Sequence, residues 1–358
     1  MFFYYYTTFQ YSTIKDKHLG LFYYAGIIAV AFYAVLTIFI NKGYLLLDKS
    51  PQGSVTLISD SLNPHISVSK EDNYCCENNS CKIKCFLIDG KELAWPLNTD
   101  SVTISTFFKE RQQSISPDLE VSEDAEEKQY FSKNPESVEI KIEHSVHSHS
   151  MSITGTQRTL QGSLRAYNGT VIKQFDSYDR ADRLSLYDLI EASGLGSLNE
   201  ISDSPNGNNK PFRRKGCVLI VTIFYTNTFS YIGTSPLIYT YSVERVPFMP
   251  HRAEEIIPIN TLPLDPELRY STLNHRLLRK RYGVHIKILQ GGEIGKFSIL
   301  QLLQCLATSV GLVSLVSVIG DFIALYLLPN STLYKEKIYG MHEILDHNRD
   351  DETTKKCS

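Results

Sequence analysis

Two stretches of the chain are too long and too apolar to be folded away inside a water-soluble core. Residues 19–40 carry no charge, and residues 297–328 carry one, Asp321. A bilayer core about 30 Å thick is crossed by about 20 apolar helical residues. The first stretch meets that length. The second exceeds it and is expected to tilt, kink or begin above the membrane. The alternative for 19–40 is a cleaved signal sequence. Such sequences have a short basic start, an apolar run of about 7–15 residues and a small-residue cleavage site, and no clear site of that kind follows here. Both stretches are therefore read as transmembrane helices. The bulk composition, 42% hydrophobic and 21% charged with a net charge of −3, averages over this unevenness.

Two spans put both termini on one side of the membrane. Lys15 and Lys17 flank the first span, Lys335 and Lys337 the second, which assigns that side to the cytoplasm. Arg276, Arg279, Lys280, Arg281 and Lys296 crowd the outer flank instead. Large domains cross largely regardless of charge, so these cations suggest a ligand. The expected division is a cytoplasmic segment 1–18, a span 19–40, an extracellular or lumenal β-rich domain 41–296, a span 297–328 and a cytoplasmic segment 329–358. Of the seven cysteines, Cys75, Cys76, Cys81 and Cys85 cluster in the outer domain. An oxidising compartment favours disulfides there, with zinc as the alternative. Cys217, Cys305 and Cys357 stand apart. Asn78 and Asn168 lie in glycosylation sequons; Asn330 does too, on the cytoplasmic side.

Between the spans the patterning is that of strands. Residues 217–225 (CVLIVTIFY) form a continuous β-branched run, and 236–246 follow a turn. Val284, Ile286 and Ile288 alternate with His285 and Lys287, as in a half-buried strand. Residues 156–175 read as a hairpin turning at Asn168-Gly169. The best short helix is 185–193. Residues 114–128, acidic and serine-rich, and 203–210 (DSPNGNNK) read as exposed loops. No repeat or linker divides the domain, which is large enough for its own core.

The motifs of common enzymes are missing: there is no G-x-S-x-G elbow and no H-E-x-x-H pair. GGEIGKF at 291–297 has three residues, not four, between Gly291 and Gly295, and Phe297 follows the lysine, unlike a phosphate loop. No enzymatic activity is expected, no metal site and no nucleic-acid partner. His144, His147 and His149 form a small cluster that suits a solvated polar segment better than a metal or proton sensor. Asp321 is the more telling charge, since an aspartate at mid-membrane costs roughly 2.5–3.5 kcal/mol and usually faces a bundle interior or a water path. Ser309, Gly311, Ser314, Ser317 and Gly320 surround it with small and hydroxyl side chains. They permit close helix packing or, in an oligomer, a polar pore wall. The cations of 266–280 (PELRYSTLNHRLLRK) suit an anionic ligand such as a nucleotide phosphate, or a plain charged surface.

A set of motifs follows in order along the chain. Thr13-Ile14-Lys15 is similar to a cytoplasmic T-x-K, Lys42-Gly43-Tyr44 to a K-G-Y, and Ser54-Val55-Thr56 continues the match. Trp95-Pro96 is similar to a W-C-P element without its cysteine. Ser137-Val138-Glu139-Ile140-Lys141 resembles T-x-x-I-K, and LYDLI at 186–190 resembles R-L-G-D-I. Arg276 to Lys280, then Tyr282-Gly283-Val284, resemble R-x-L-x-K followed by Y-G-I-R. Residues 292–297 resemble G-x-A-G-K-F. In this order the set resembles the P2X receptor family of ATP-gated cation channels, in character its protist and amoebal members.

The resemblance implies a homotrimer with β-rich ligand-binding ectodomains, ATP held between subunits, and a pore for cations, calcium among them, lined by the second span. It implies no cofactor beyond the ligand ATP. Carried over position by position, Lys280 and Arg269 would hold phosphate with Arg276 beside them, Ser137 would stand at the adenine with Lys141 nearby, and Asp321, Ser317, Ser314 and Gly311 would line the pore. The membrane would be the plasma membrane or that of an intracellular, contractile vacuole. The chain also departs from the pattern. Ile58 and Asp60 replace the K-x-K after S-V-T, Glu267-Leu268 replace Asn-Phe, and the acidic 114–128 stretch replaces a disulfide-rich head. These departures leave open an alternative, a non-conducting or differently gated accessory or adhesion subunit on the same scaffold. A degenerin-like channel would need a much larger cysteine-rich ectodomain.

Overall fold

The computed structural model describes residues 16–62, 74–75, 83–115, 120–123, 126–176, 181–203, 209–228, 235–258, 275–329 and 331–339. Six helices are described: α1 (Lys17–Phe39), α2 (Gly90–Leu93), α3 (Leu186–Ala192), α4 (Phe212–Lys215), α5 (Ile299–Phe322) and α6 (Ser331–Tyr339). The strands, in chain order, are β1 (Leu45–Asp48), β2 (Gln52–Leu62), β3 (Lys84–Phe86), β4 (Ala94–Leu97), β5 (Ser101–Ile115), β6 (Val121–Glu123), β7 (Lys128–Ser132) and β8 (Val138–Ser148). They continue with β9 (Ile153–Thr156), β10 (Gln161–Arg165), β11 (Val171–Phe175), β12 (Asp182–Ser185), β13 (Cys217–Thr226), β14 (Ile238–Val246), β15 (Arg252–Pro258) and β16 (His275–Phe297). The chain forms two compact units, Met1–Leu46 with Lys296–Ser358, and Leu47–Gly295.

The first unit holds the two apolar helices. Lys17–Phe39 and the continuous helical stretch Ile299–Leu327 are both long and apolar enough to cross a membrane. Asp16 caps α1 by accepting from the amides of His18 and Leu19, and Tyr334 of α6 donates to the same carboxylate at 2.6 Å. A Cβ at Gly26 would come within 2.6 Å of Val316, so the glycine lets α1 and α5 pack closely. The last turn, Ile323–Leu327, widens to a π-helix before the chain turns.

The second unit is β-rich. One sheet runs β11-β10-β14-β13-β16-β5-β7-β3, with β15 beside β16 and both β4 and β6 beside β5; a smaller sheet runs β12-β8-β2, with β9 beside β8. The expected elements appear where the pattern placed them. The 217–225 run becomes β13, paired on one edge with β14 and on the other with a parallel segment of β16; the row Cys217, Leu219, Val221, Ile223 and Tyr225 is buried, while Ile220, Thr222 and Phe224 on the other row are partly or fully exposed. The hairpin turns at Asn168-Gly169, where Gly169 takes φ +86°. The short helix is α3, closed by a capping box in which Ser185 and Asp188 bond each other's backbone amides. Of the four clustered cysteines, Cys75 and Cys85 form a disulfide, while Cys76 and Cys81 lie outside the described residues. Cys217 is a free buried thiol that burial pushes up to about 12.

Two expectations need correction. The stretch 114–128 is not simply a loop: β6 pairs with the end of β5 and places Glu123 opposite Gln113. His144 is not solvated. β8 alternates strictly, and His144 falls on its inward row with Ile140, Ile142 and Val146, 3% exposed. Only His147 and His149 stay outside.

His144 belongs to a polar network at the centre of the core. Gln290 donates to the Tyr225 hydroxyl at 2.9 Å, and Tyr225 lies 2.8 Å from His144 Nδ1. With a neutral ring, Tyr225 then donates to Nδ1 and leaves Nε2–H to donate to Asp182, 3.3 Å away. Tyr239 and Tyr241 donate to the same Asp182 oxygen at 2.7 Å each. His144 and Asp182 come from the smaller sheet and the tyrosines from the larger, so the network joins the two. A second polar pair is His251 and His285, stacked at 4.4 Å, both within hydrogen-bonding distance of the Thr103 hydroxyl. Burial, then the charge of His285, pushes His251 down to about 4, and burial lowers His285 as well.

Two outcomes are expected. Asp182→Ala strands three buried donors, each costing roughly 1–3 kcal/mol, so it should lower thermal stability in detergent far more than Tyr239→Phe; equal losses would show that the carboxylate is not the hub. The two stacked histidines are favoured neutral in the fold, so unfolding takes up protons. Their contribution is complete above the ordinary histidine value of 6.5 and falls as pH drops toward about 4. His251→Gln should flatten the dependence of unfolding temperature on pH in that window; an unchanged slope would refute the assignment.

Candidate functional site

The basic stretch before the second apolar segment is a strand, so its residues alternate between two faces. On one face Arg279 meets Glu110 at 2.5 Å and Glu92 at 3.1 Å, and Arg281 meets Glu255 at 2.6 Å while lying over Trp95 and Phe108. This face is neutralised and half-buried, a structural network. On the other face stand Arg276 and Lys280. Arg276 donates to the neutral amide of Gln113 at 2.8 Å. Lys280 makes no salt bridge among the described residues. Across the ladder it faces Lys109 of β5 on one side and Glu254 of β15 on the other, and Glu254 is drawn to Arg252 at 3.2 Å. Directly opposed like charges destabilise a strand pair; Lys109 is matched by Glu127 at 2.7 Å, which leaves Lys280 without a salt bridge of its own among the described residues. Arg269 lies outside the described residues.

The other two ligand candidates sit on the smaller sheet. Ser137 ends a 3-10 turn, Pro135–Ser137, and is buried, with its hydroxyl donating to the Asn134 carbonyl at 2.8 Å. The turn is anchored through Glu136, which forms a buried ion pair with Arg213; that guanidinium also bonds Asn199 and lies 3.6 Å over the Tyr74 ring. Lys141 is on the outward row of β8. Its register partner on β2 is Ile58, and its ammonium meets Asp60 at 2.5 Å. The two departures from the lysine pair are thus adjacent to Lys141, and one of them binds it. Ser137 and Lys141 on one sheet and Arg276 and Lys280 on the other form two separate groups within the chain.

On α5, Ser314 and Ser317 fold their hydroxyls back to the carbonyls of Val310 and Val313, at 3.3 and 3.5 Å. At about 100° per residue, Gly311, Ser314 and Asp321 point roughly 140–160° away from Val316, the residue packed on Gly26 of α1. All three are exposed; Ser317 lies on the flank and is partly covered. No cluster of three or more His, Cys, Asp or Glu side chains suited to a metal occurs among the described residues.

Sequence reasoning passed over part of the charge near Lys280. Lys109 and Arg111 lie on β5, and a basic run, Lys210 then Arg213, Arg214 and Lys215, forms α4 and its approach. The run was visible as KPFRRK; the strand register that joins Lys109 to Lys280 was not.

The family model described as ATP P2X receptor matches residues 268–341. P2X receptor B of Dictyostelium discoideum is 27% identical over 348 residues, 92% of this chain and 88% of that protein. P2X receptor C of the same organism is 27% identical over 346 residues, 92% of this chain and 89% of the relative. Among solved structures, an invertebrate P2X receptor from the Gulf Coast tick, crystallised in the presence of ATP and Zn2+, superposes with a TM-score of 0.54 at 13% identity, covering 85% of this chain and 100% of that one. At that identity the structural likeness is one of fold. In its family-model match, in its amoebal relatives and in its fold, with two long apolar helices and a β-rich domain, the family this chain resembles is that of the P2X receptors.

Proposed function

We propose that the chain is a subunit of an ATP-gated, non-selective cation channel, a homotrimer in which ATP binds between neighbouring ectodomains and the second apolar helices form the pore. The observation that carries this reading is Lys280. Its neighbours Arg279 and Arg281 are matched by carboxylates, whereas Lys280 makes no ion pair among the described residues and faces another lysine. A half-buried ammonium that no carboxylate contacts directly among the described residues, with only the fields of Glu254 and Glu123 near it, suits a phosphate. Ligand binding would then favour the open conformation by its differential affinity for it. The exposed stripe of Gly311, Ser314 and Asp321, turned away from α1, supports a pore wall with the carboxylate attracting cations, calcium among them. In this arrangement 41–296 lies outside the cytoplasm, 1–18 and 329–358 lie inside, and the membrane is the cell surface or a contractile vacuole. Ser137, Lys141, Arg276 and Arg269 complete the proposed ligand set.

One observation favours a second reading, an accessory subunit that does not respond to ATP. Asp60 binds Lys141 and sets a negative charge where phosphate oxygens would come.

Patch recording with ATP decides between the two. The channel reading expects ATP-evoked cation current from the chain expressed alone, and its loss in Lys280→Ala; absence of current with protein confirmed in the recorded membrane would leave the accessory reading. Asp60→Asn should lower the half-maximal ATP concentration about threefold, the ~0.6 kcal/mol typical of an exposed charge pair; no shift would place Asp60 outside the ligand's field. Asp321→Asn should reduce single-channel conductance, whereas a change in expression alone would mark Asp321 as a packing residue.

A further inference from the structure

Lys280 does not stand alone. In the ladder β16-β5-β7, Lys280, Lys109 and Gln129 form one row, and Tyr282, Phe107 and Phe131 form the next. Residues directly opposite in antiparallel strands share a face, so the cations of β16 and β5 project together. Arg214 of α4 lies over the Phe107 ring, 5.1 Å from its centroid, and donates to Gln129 at 3.1 Å. That brings α4 to the same face. Lys210, just before α4, feels Arg214 most strongly and also Lys215 and Lys109, which together with some burial hold its ammonium below the usual lysine range. Lys210, Arg214 and Lys215 make no salt bridge among the described residues.

Among the described residues, the counter-charge on this face comes from the acidic stretch and from β15. Glu127 sits 2.7 Å from Lys109 and 3.6 Å from Arg111 and accepts from Gln129 at 2.6 Å; Glu123 pairs with Arg111. Both carboxyls are held below their ordinary range, Glu127 first by Lys109 and Glu123 first by Arg111. Glu254 of β15, across from Lys280, is turned to Arg252. The carboxylate of Glu127 therefore occupies a place where an anionic oxygen is held by several cations at once.

We propose that Lys109, Arg111, Lys210, Arg214 and Lys280 form one surface for a chain of phosphates, with Glu127 as the resident counter-anion that the ligand displaces. The proposal rests on reading Lys280 as a phosphate contact, and it adds cations to a ligand set that Ile58 and Asp60 have depleted. The extent of the surface favours several linked phosphates over one. Four residues along a strand span roughly 13 Å, and neighbouring strands lie about 5 Å apart. A single phosphate reaches two or three of these groups, a linked chain most of them.

The test is calorimetric titration of the purified full-length protein in detergent with inorganic tripolyphosphate. Arg214→Ala and Lys109→Ala are each expected to weaken binding at least tenfold. Lys49→Ala, at an exposed position away from this face, should change nothing. Glu127→Gln should tighten binding severalfold, a gain that a damaged fold does not produce. Orthophosphate should bind at least a hundredfold more weakly than tripolyphosphate. The proposal is overturned if Arg214→Ala and Glu127→Gln both leave tripolyphosphate affinity unchanged, or if orthophosphate binds as well as the chain. Because the ligand carries no nucleoside and no current is read, the outcome is separate from ATP gating. A silent channel with variant-sensitive tripolyphosphate binding would sink the channel reading and keep this surface; the reverse pattern would do the opposite.

Discussion

The β-rich unit depends on a single carboxylate without access to water. Asp182 is 1% exposed, and one of its oxygens accepts from His144, Tyr239 and Tyr241. A buried carboxylate is tolerated only when its lone pairs are matched, so each of these donors has its position fixed by the others. Because the donors come from both sheets, the stacking of the sheets is specified by hydrogen-bond geometry as well as by apolar area. Chains of hydrogen bonds strengthen one another at low dielectric, and the relay from Gln290 through Tyr225 to His144 ties β16 into the same arrangement.

That tie matters because β16 carries the cations. With its register set against β13 and β5, the parity of every side chain is set as well. Arg279 and Arg281 turn toward carboxylates and aromatic rings and become structure, while Arg276 and Lys280 turn the other way and become available. Four cations close in sequence thus take two roles. The same logic separates Lys141, which faces outward on β8, from His144, three residues later and buried.

Much of this was legible in the sequence. The long apolar stretches marked both long helices, β-branched runs marked β13 and β14, and Asn168-Gly169 marked a turn. The motifs pointed to the family, and Lys280 was singled out. What was not legible is non-local. Strand parity on β8 already puts His144 in line with Ile140 and Ile142, but its acceptor, Asp182, is brought to it only by pairing β8 with β12. The acidic 114–128 stretch is expected as an exposed loop; its described part is largely exposed, but it pairs as β6, and Glu123 and Glu127 are held by Arg111 and Lys109, a match that exists only once β5 and β6 fold together. Asp60 was recognised as a departure from the family pattern; that it binds Lys141 required the register of β2 on β8.

The alternation along β16 also bears on how such a chain can change over evolutionary time. Exchanging one cation for another alters a contact. Inserting or deleting one residue between Arg276 and Tyr282 does more, since a one-residue slip moves every side chain to the opposite face. Lys280 would then point at Glu110 and Glu255, and Arg279 or Arg281 would be left on the open side. The length of this segment should therefore drift more slowly than its composition, and gaps in homologous chains should fall outside it.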